Sequence, residues 1–326
     1  MIGKTLSALT AMMLFALPGM LAPVFAQNFP VRPVRIVVPF PPGGTSDILS
    51  RTIGQKLTEE WGQQVLTDNR PGASGNIASD FVAKSKPDGY TLYIMTVGTH
   101  AINPAVFNKL PFDAVRDFTP ITNLVWLPSV MLIHPSIPVK NLGELIALAK
   151  KRPGELLYSS AGSGAQPHLT AEMFKKMAGV NIVHVPYKGA APQMIAIVGG
   201  EVALTFATAP SGVPYVKNGR LRALGVSSTK RIVALPDVPT IAEAGVPGYD
   251  AMGWNGMVGP AAMPKPILDK IHDAVARIVN SLQVRDQFIG LGAEPSTSTP
   301  DEFAALIKSE IVKWAQVVKD SGAKLD

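Results

Sequence analysis

Twice in this chain an apolar strand runs straight into a glycine-rich turn and out into a helix. The first strand, Val34-Arg35-Ile36-Val37-Val38, leads into Pro39-Phe40-Pro41-Pro42-Gly43-Gly44-Thr45-Ser46-Asp47. The second, Glu155 to Ser159, leads into Ser160-Ala161-Gly162-Ser163-Gly164-Ala165-Gln166-Pro167-His168. Such junctions belong to α/β architectures, in which helices cover both faces of a sheet. A helix start also presents backbone N–H groups that have no partner in the helix, together with the positive end of the helix dipole. Glycine lets a ligand come close to the main chain. Each turn is therefore a seat for a carboxylate or phosphate, and two such turns can face one anion.

The alternation continues around both turns. Ile48, Leu49, Ile53, Leu57 and Trp61 recur at helical spacing, with Thr45, Ser46 or Asp47 as the cap. Gln64 to Asp68 reads as a strand, Asn69-Arg70-Pro71-Gly72-Ala73-Ser74-Gly75 as a turn into a helix ending near Lys86, and Tyr90 to Val97 as the next strand. After two further strands, Phe118 to Trp126 and Val130 to His134, the pattern restarts. A helix from Leu142 to Lys151 precedes the second glycine turn, a helix runs to Met177, and Ile182 to Val185 is a strand. A helix from Ala190 to Val198 and strands Val202 to Ala207 and Leu221 to Ser227 complete the unit. A Pro/Gly-rich stretch through Tyr249 leads to a final helical segment from Pro266 that is expected to pack back on the first unit. Two sheets imply two lobes, each a mixed, mostly parallel sheet flanked by helices. The boundaries expected are 27–127 plus 250–326 for the first lobe and 128–249 for the second, with the cleft between them and both glycine turns beyond the carboxyl ends of their strands.

Composition narrows the functions available. The chain has 326 residues, 47% hydrophobic and 17% charged, enough for two cores and unlike a disordered segment. Residues 1–26 read as a secretory leader: Lys4, the apolar run Leu6 to Leu21, and Val24-Phe25-Ala26 before Gln27. The same run is also a possible uncleaved anchor, but Pro18, Gly19 and Pro23 weaken a spanning helix and favour cleavage. With no cysteine there are no disulfides, no thiolate metal sites and no lipid on a cysteine. The 30 cations against 24 anions are dispersed, without the basic patch interleaved with aromatics that nucleic-acid binding needs. Gly162-Ser163-Gly164-Ala165-Gln166-Pro167 opens like a dinucleotide fingerprint, but Pro167 stands at the third glycine and no acid ends the next strand. His100, His134, His168, His184 and His272 lack metal-ligand spacing, and neither Ser74 nor Ser163 sits in a nucleophile elbow. Neither an enzyme, a metal site nor a cofactor is expected.

Several segments carry a resemblance. They are Val34 to Asp47, Asn69-Arg70-Pro71-Gly72-Ala73, Lys86-Pro87-Asp88-Gly89-Tyr90-Thr91-Leu92, His184-Val185-Pro186-Tyr187-Lys188-Gly189, Leu221-Arg222-Ala223-Leu224-Gly225-Val226 and Leu235-Pro236-Asp237-Val238-Pro239-Thr240. In this order, over nearly the whole chain after the leader, they are similar to the Bordetella uptake gene (Bug) family, the solute receptors of tripartite tricarboxylate transporters. The resemblance implies a periplasmic receptor with the two-lobed, type II-like periplasmic binding protein fold, which closes on one small carboxylate and delivers it to membrane permease subunits. It implies a first seat at Phe40, Gly43, Gly44, Thr45 and Asp47 and a second at Ser163, Gly164, Ala165 and His168, with Thr99 and Tyr187 as further cleft residues. Di- or tricarboxylates and aromatic acids are the favoured ligands, no nucleic acid is expected as a partner, and the chain is expected to be a monomer. Two departures stand out. Ala165 replaces a frequent serine, and Ala203 and Ala207 stand where family members commonly carry aspartates. An acid missing at Ala207 implies one less partner for an ammonium group.

Structural readings of the same residues stay open at this stage. The glycines also suit tight turns, Asp47 also suits a helix cap, His168 one turn into its helix suits capping or packing, and Tyr187 suits a core. A sensor that reports ligand to a membrane kinase would use the same fold, and a secreted hydrolase or lyase is disfavoured by the missing nucleophile and base.

Overall fold

The computed structural model describes residues 29–321, so the leader read at residues 1–26 lies outside the described residues. The described chain opens with β1 (Val34–Val38), α1 (Thr45–Trp61), β2 (Val65–Asn69), α2 (Asn76–Ala83) and β3 (Thr91–Thr96). β1 pairs in parallel with both β2 and β3. Its side chains divide by the two-residue period of a strand buried on both faces. Ile36 and Val38 join Leu92 and Ile94 in one apolar cluster, while Val37 joins Tyr93 and Met95 in another.

A tight turn at Gly98–Ile102 and the short helix α3 (Asn103–Val106) lead to β4 (Phe118–Leu127). Only Pro128 separates β4 from β5 (Ser129–Ile133), yet the two strands lie in different sheets. The second sheet is built with α4 (Leu142–Lys151), β6 (Leu157–Ser160), α5 (Gln166–Ala178), β7 (Val183–Pro186), α6 (Ala190–Val198), β8 (Leu204–Thr208), α7 (Ala209–Lys217) and β9 (Arg222–Val226). The chain then returns to the first sheet as β10 (Gly253–Pro260), followed by α8 (Lys265–Asn280), α9 (Leu282–Gly290), β11 (Glu294–Pro295) and α10 (Pro300–Ser321). No helix among the described residues is long and apolar enough to cross a membrane.

The six-stranded sheet runs β11-β4-β10-β3-β1-β2 and the five-stranded sheet β7-β6-β8-β5-β9. Both are α/β sheets with helices on each face, and both are mixed, with β10 and β11 running against the other four strands of the first sheet and β5 against the other four of the second. The reason lies in the crossings. β10 enters the first sheet from the other lobe and runs against β3 and β4, and β5 enters the second and runs against β8 and β9.

The tail packs on the first sheet as expected, with α8 and α9 on one face and α10 on the other. It is not one helical segment, however: it breaks at Ser281 and again at Gly292, whose φ of +83° suits glycine, before Pro295 ends the short strand β11. α7 was absent from the sequence reading. Pro210, Gly212 and Pro214 argue against a helix, but Pro210 falls in the first turn, where its missing N–H has no intrahelical partner to lose.

α10 seats against β10 through a position without a side chain. A Cβ on Gly256 would overlap the ring of Phe303, which itself packs edge-on against Trp254 at 5.6 Å. Replacing Gly256 by alanine should force that ring off its rotamer and destabilise the protein by about 1–3 kcal/mol. The urea midpoint reads this directly, and an unchanged midpoint would show that the seam can relax around a methyl group.

Candidate functional site

Four helices begin at the seam between the two sheets. The N-caps are Gly44 for α1, Ala165 for α5, Gly189 for α6 and Thr208 for α7. Their first turns enclose a cavity of about 70 Å3, several times the 10–15 Å3 or so that one ordered water needs. Gly44, Thr45 and Ser46 line it from α1, Ala165, Gln166 and Pro167 from α5, Ala190 and Gln193 from α6, and Thr208 from the start of α7. Phe40 and Ala161 of the two glycine turns, Thr96, Val97 and Gly98 at the end of β3, Leu127 of β4 and Asn255 of β10 close the wall. None of these side chains is charged. The electrostatic character of the cavity comes from the positive dipole ends of the four helix starts and from their N–H groups without an intrahelical partner, α7 contributing mainly its dipole because Ala209 already donates to the Pro128 carbonyl and Pro210 has no N–H. Such a site attracts an anion without presenting a cation.

The first turn is braced from inside its own helix. Gly43, with φ +87°, donates its N–H to Asp47 Oδ2 at 3.0 Å, and Arg51 Nε holds the same oxygen at 3.0 Å. Burial pushes the Asp47 carboxyl up, but hydrogen bonds from Arg51 and Gly43 outweigh it and hold the group below its ordinary value. Asp47 is thus an ionised brace whose bonded oxygen is committed to the protein. Gly44 is extended, with φ −88° and ψ 172°, so its role is close approach rather than a left-handed turn. The Thr45 hydroxyl meets the Thr208 hydroxyl at 2.8 Å across the seam, and Asn255 Nδ2 donates to Ser46 Oγ at 2.9 Å.

The second turn repeats the device. Gly164, with φ +77°, donates its N–H to Nδ1 of His168 at 3.1 Å, again from a residue to the one four further on. The accepting nitrogen requires a neutral imidazole. Burial holds His168 below its ordinary value, against the pull of Glu172 and with the help of Lys175. The His168 ring stacks on His184 at 4.1 Å between centroids, and His184 Nε2 meets Ser160 Oγ at 2.6 Å. Burial, then the neighbouring His168 and Lys175, push His184 down to about 3. Ser74 of the first lobe donates to the Ser163 carbonyl at 2.9 Å, pinning the turn across the seam.

Of the residues expected from sequence, Phe40, Gly44, Thr45 and Ala165 line the cavity. Gly43, Asp47, Ser163, Gly164 and His168 shape or brace the turns behind it. Three expectations are corrected. Thr99 is fully buried and turns back to cap the end of β3, donating to the Thr96 carbonyl at 3.1 Å and meeting His100 Nδ1 at 2.9 Å. Tyr187 packs beside the cluster under α6 and α7 and donates its hydroxyl to Glu201 at 3.1 Å. Ala207 is buried among Val130, Leu132 and Val213, because strand alternation turns its neighbour Thr208 to the cavity instead. Sequence reasoning missed Thr208 with the whole of α7, and missed Gln193, Asn255 and Thr96, which act from helix or strand positions outside any glycine turn. Gln166 stood inside the quoted second turn and could have been read from its place as the first helical residue.

Two α/β lobes meeting around a neutral cavity ringed by helix starts define a solute-binding protein of the periplasmic binding protein class. Residues 49–323 match the family described as the tripartite tricarboxylate transporter family receptor. The chain is 35% identical to the protein BugT of Bordetella pertussis over 95% of each chain. An R. palustris protein solved with adipate is 40% identical, with a TM-score of 0.88, covering 90% of this chain and 98% of its own. MatC of Rhodopseudomonas palustris, solved with bound malate, is 33% identical, with a TM-score of 0.84, covering 89% and 100%. The chain belongs to the tripartite tricarboxylate transporter receptor family, a family of solute receptors rather than enzymes.

The stacked histidines give the site a pH dependence of known sign. Both rings are held neutral in the folded protein, so between their ordinary value of 6.5 and their lowered folded values the unfolded chain binds more protons. The stability they contribute is complete above about 6.5 and is lost as the pH falls through that window. Thermal melts should therefore drop from pH 7.5 to pH 5, and replacing both His168 and His184 by glutamine should flatten the drop. An equal slope in the variant would place the sensitivity elsewhere.

Proposed function

We propose that this chain is the extracytoplasmic receptor of a tripartite tricarboxylate transporter. Exported behind a leader cleaved after residue 26, it closes lobes 27–127 plus 250–326 and 128–249 on one small dicarboxylate and hands it to membrane permease subunits. The observation that carries the reading is the convergence of four helix starts on a cavity with no charged side chain. A carboxylate satisfies those N–H groups and gains from the dipoles, while a cationic ligand finds no counter-charge. The adipate and malate named for two relatives support a dicarboxylate.

Zwitterionic amino acids are disfavoured for a reason the cavity itself supplies. No carboxylate lines it: Asp47, whose Oδ2 is held by Gly43 and Arg51 and whose Oδ1 has no hydrogen-bond partner, stands outside the lining, so an ammonium group taken out of water there finds no charged partner in the cavity wall. The absence of an acid at Ala207 adds nothing, since that side chain faces the apolar core.

Calorimetry with adipate, malate and succinate against aspartate and glutamate tests this. At least one dicarboxylate should bind ten times or more tighter than either amino acid, and at a hundred times its dissociation constant it should stabilise the fold by about 2.7 kcal/mol. Small-angle scattering should show a smaller radius on binding. Tighter binding of the amino acids, or no binding of any acid, would overturn the reading. Gly164→Val places a β-branched residue at φ +77°, so it should cost at least tenfold in affinity in a folded protein. Wild-type affinity in that variant would remove the second turn from the seat.

A further inference from the structure

The crossings between the lobes run beside the cavity, and one side chain touches both. Gln166, the first residue of α5, is nearly fully buried and lines the cavity. Its Nε2 donates to the carbonyl of Leu127, the last residue of β4, at 2.9 Å and lies 3.4 Å from Ser129 Oγ at the start of β5. That is the first crossing. At the second, Gly253 opens β10 and pairs with Leu127, and a Cβ on it would overlap the Gln166 amide. The missing side chain of Gly253 is thus the notch in which the amide sits.

The two crossings are also tied to each other. Ser227 Oγ accepts the Ser129 N–H at 2.7 Å and donates to the Ala251 carbonyl at 3.0 Å. α5 is anchored on both sides, since Leu169 packs in an apolar cluster of the first lobe and Phe174 in one of the second. A shift of α5 relative to Leu127 must therefore pull a buried amide off its acceptor and leave both unpaired, which a buried polar group resists.

We propose that Gln166 is a positioning residue that sets the closing angle of the lobes, holding the N-terminal turn of α5 in its ligand-ready place through the Leu127 carbonyl and the Gly253 notch. The proposal rests on the receptor reading above and adds the element that couples seat to hinge. Glutamine suits the role because its amide offers a donor to a main-chain carbonyl, whereas leucine fills the space without the bond and glutamate turns an acceptor towards it.

The experiment is a substitution cycle on the full chain, read by calorimetry with adipate and malate and by scattering with and without acid. Gly253→Ala should weaken binding at least tenfold and enlarge the radius of the acid-saturated protein. Adding Gln166→Ala empties the notch, and the double variant should bind at least threefold tighter than Gly253→Ala alone. Gln166→Leu leaves the Leu127 carbonyl without its donor, so it should lower the urea midpoint and weaken binding, and it should also enlarge the radius of the acid-saturated protein, a change that a merely structural role would not produce. Wild-type affinity in Gly253→Ala, or a double variant no better than that single one, would overturn the proposal. Should the wild type bind neither acid, the receptor reading falls, and acid-free scattering decides this one: a larger radius for Gly253→Ala supports it and an equal radius overturns it.

Discussion

A buried helix start cannot be left alone: its first N–H groups have no acceptor within the helix and need one from outside. In this protein the starts of four helices are gathered at one seam, lined by no charged side chain, and the rest of the architecture serves that gathering. Each sheet supplies strands that end at the seam, so that the following helix opens there. α1 comes from one lobe and α5, α6 and α7 from the other. On the proposed reading, an anion at the seam would complete hydrogen bonds that neither lobe completes by itself, which would make the ligand part of the interface between them.

Holding two glycine-rich turns open for such a ligand requires braces that do not occupy the seat. Both turns use the same one, a turn N–H donated to a side chain four residues on, from Gly43 to Asp47 and from Gly164 to His168. The chemistry differs. Asp47 is an ionised acceptor kept in place by Arg51, and His168 is a neutral acceptor kept in place by burial and by the stacked ring of His184.

The crossings explain why the sheets are mixed and why the seam is well defined. A single proline between β4 and β5 sends the chain from one sheet to the other, and β10 brings it back beside β4, paired with it over its whole length. Hydroxyls of Thr45 and Thr208, and of Ser74 with the Ser163 carbonyl, then meet across the gap. These short polar contacts stand beside apolar ones, such as Leu169 of α5 in the cluster of the first lobe, and the polar groups can exchange partners with water at little net cost, which would suit lobes that part and close.

Much of this was legible in the residues themselves. Strand-turn-helix punctuation at Gly43-Gly44 and Gly162 to Gly164, and the apolar periods on either side, determine two α/β units and two glycine turns that open helices, because local backbone geometry follows from local sequence. What lay beyond reach was set by alternation and contact at a distance. Ala207 or Thr208 could face the cavity until the register of β8 chose Thr208, and Thr99 could line it until its hydroxyl found the Thr96 carbonyl. α7 was hidden by its prolines, although its first turn tolerates one. Asn255, Gln193 and Gln166 reach one cavity from strands and helices far apart in the chain, and only the packing of two lobes brings them together. The sequence by itself determined the helix starts, since each carries its donors wherever it goes; the tertiary structure decided which of them share one cavity, since that depends on where the crossings let the lobes meet.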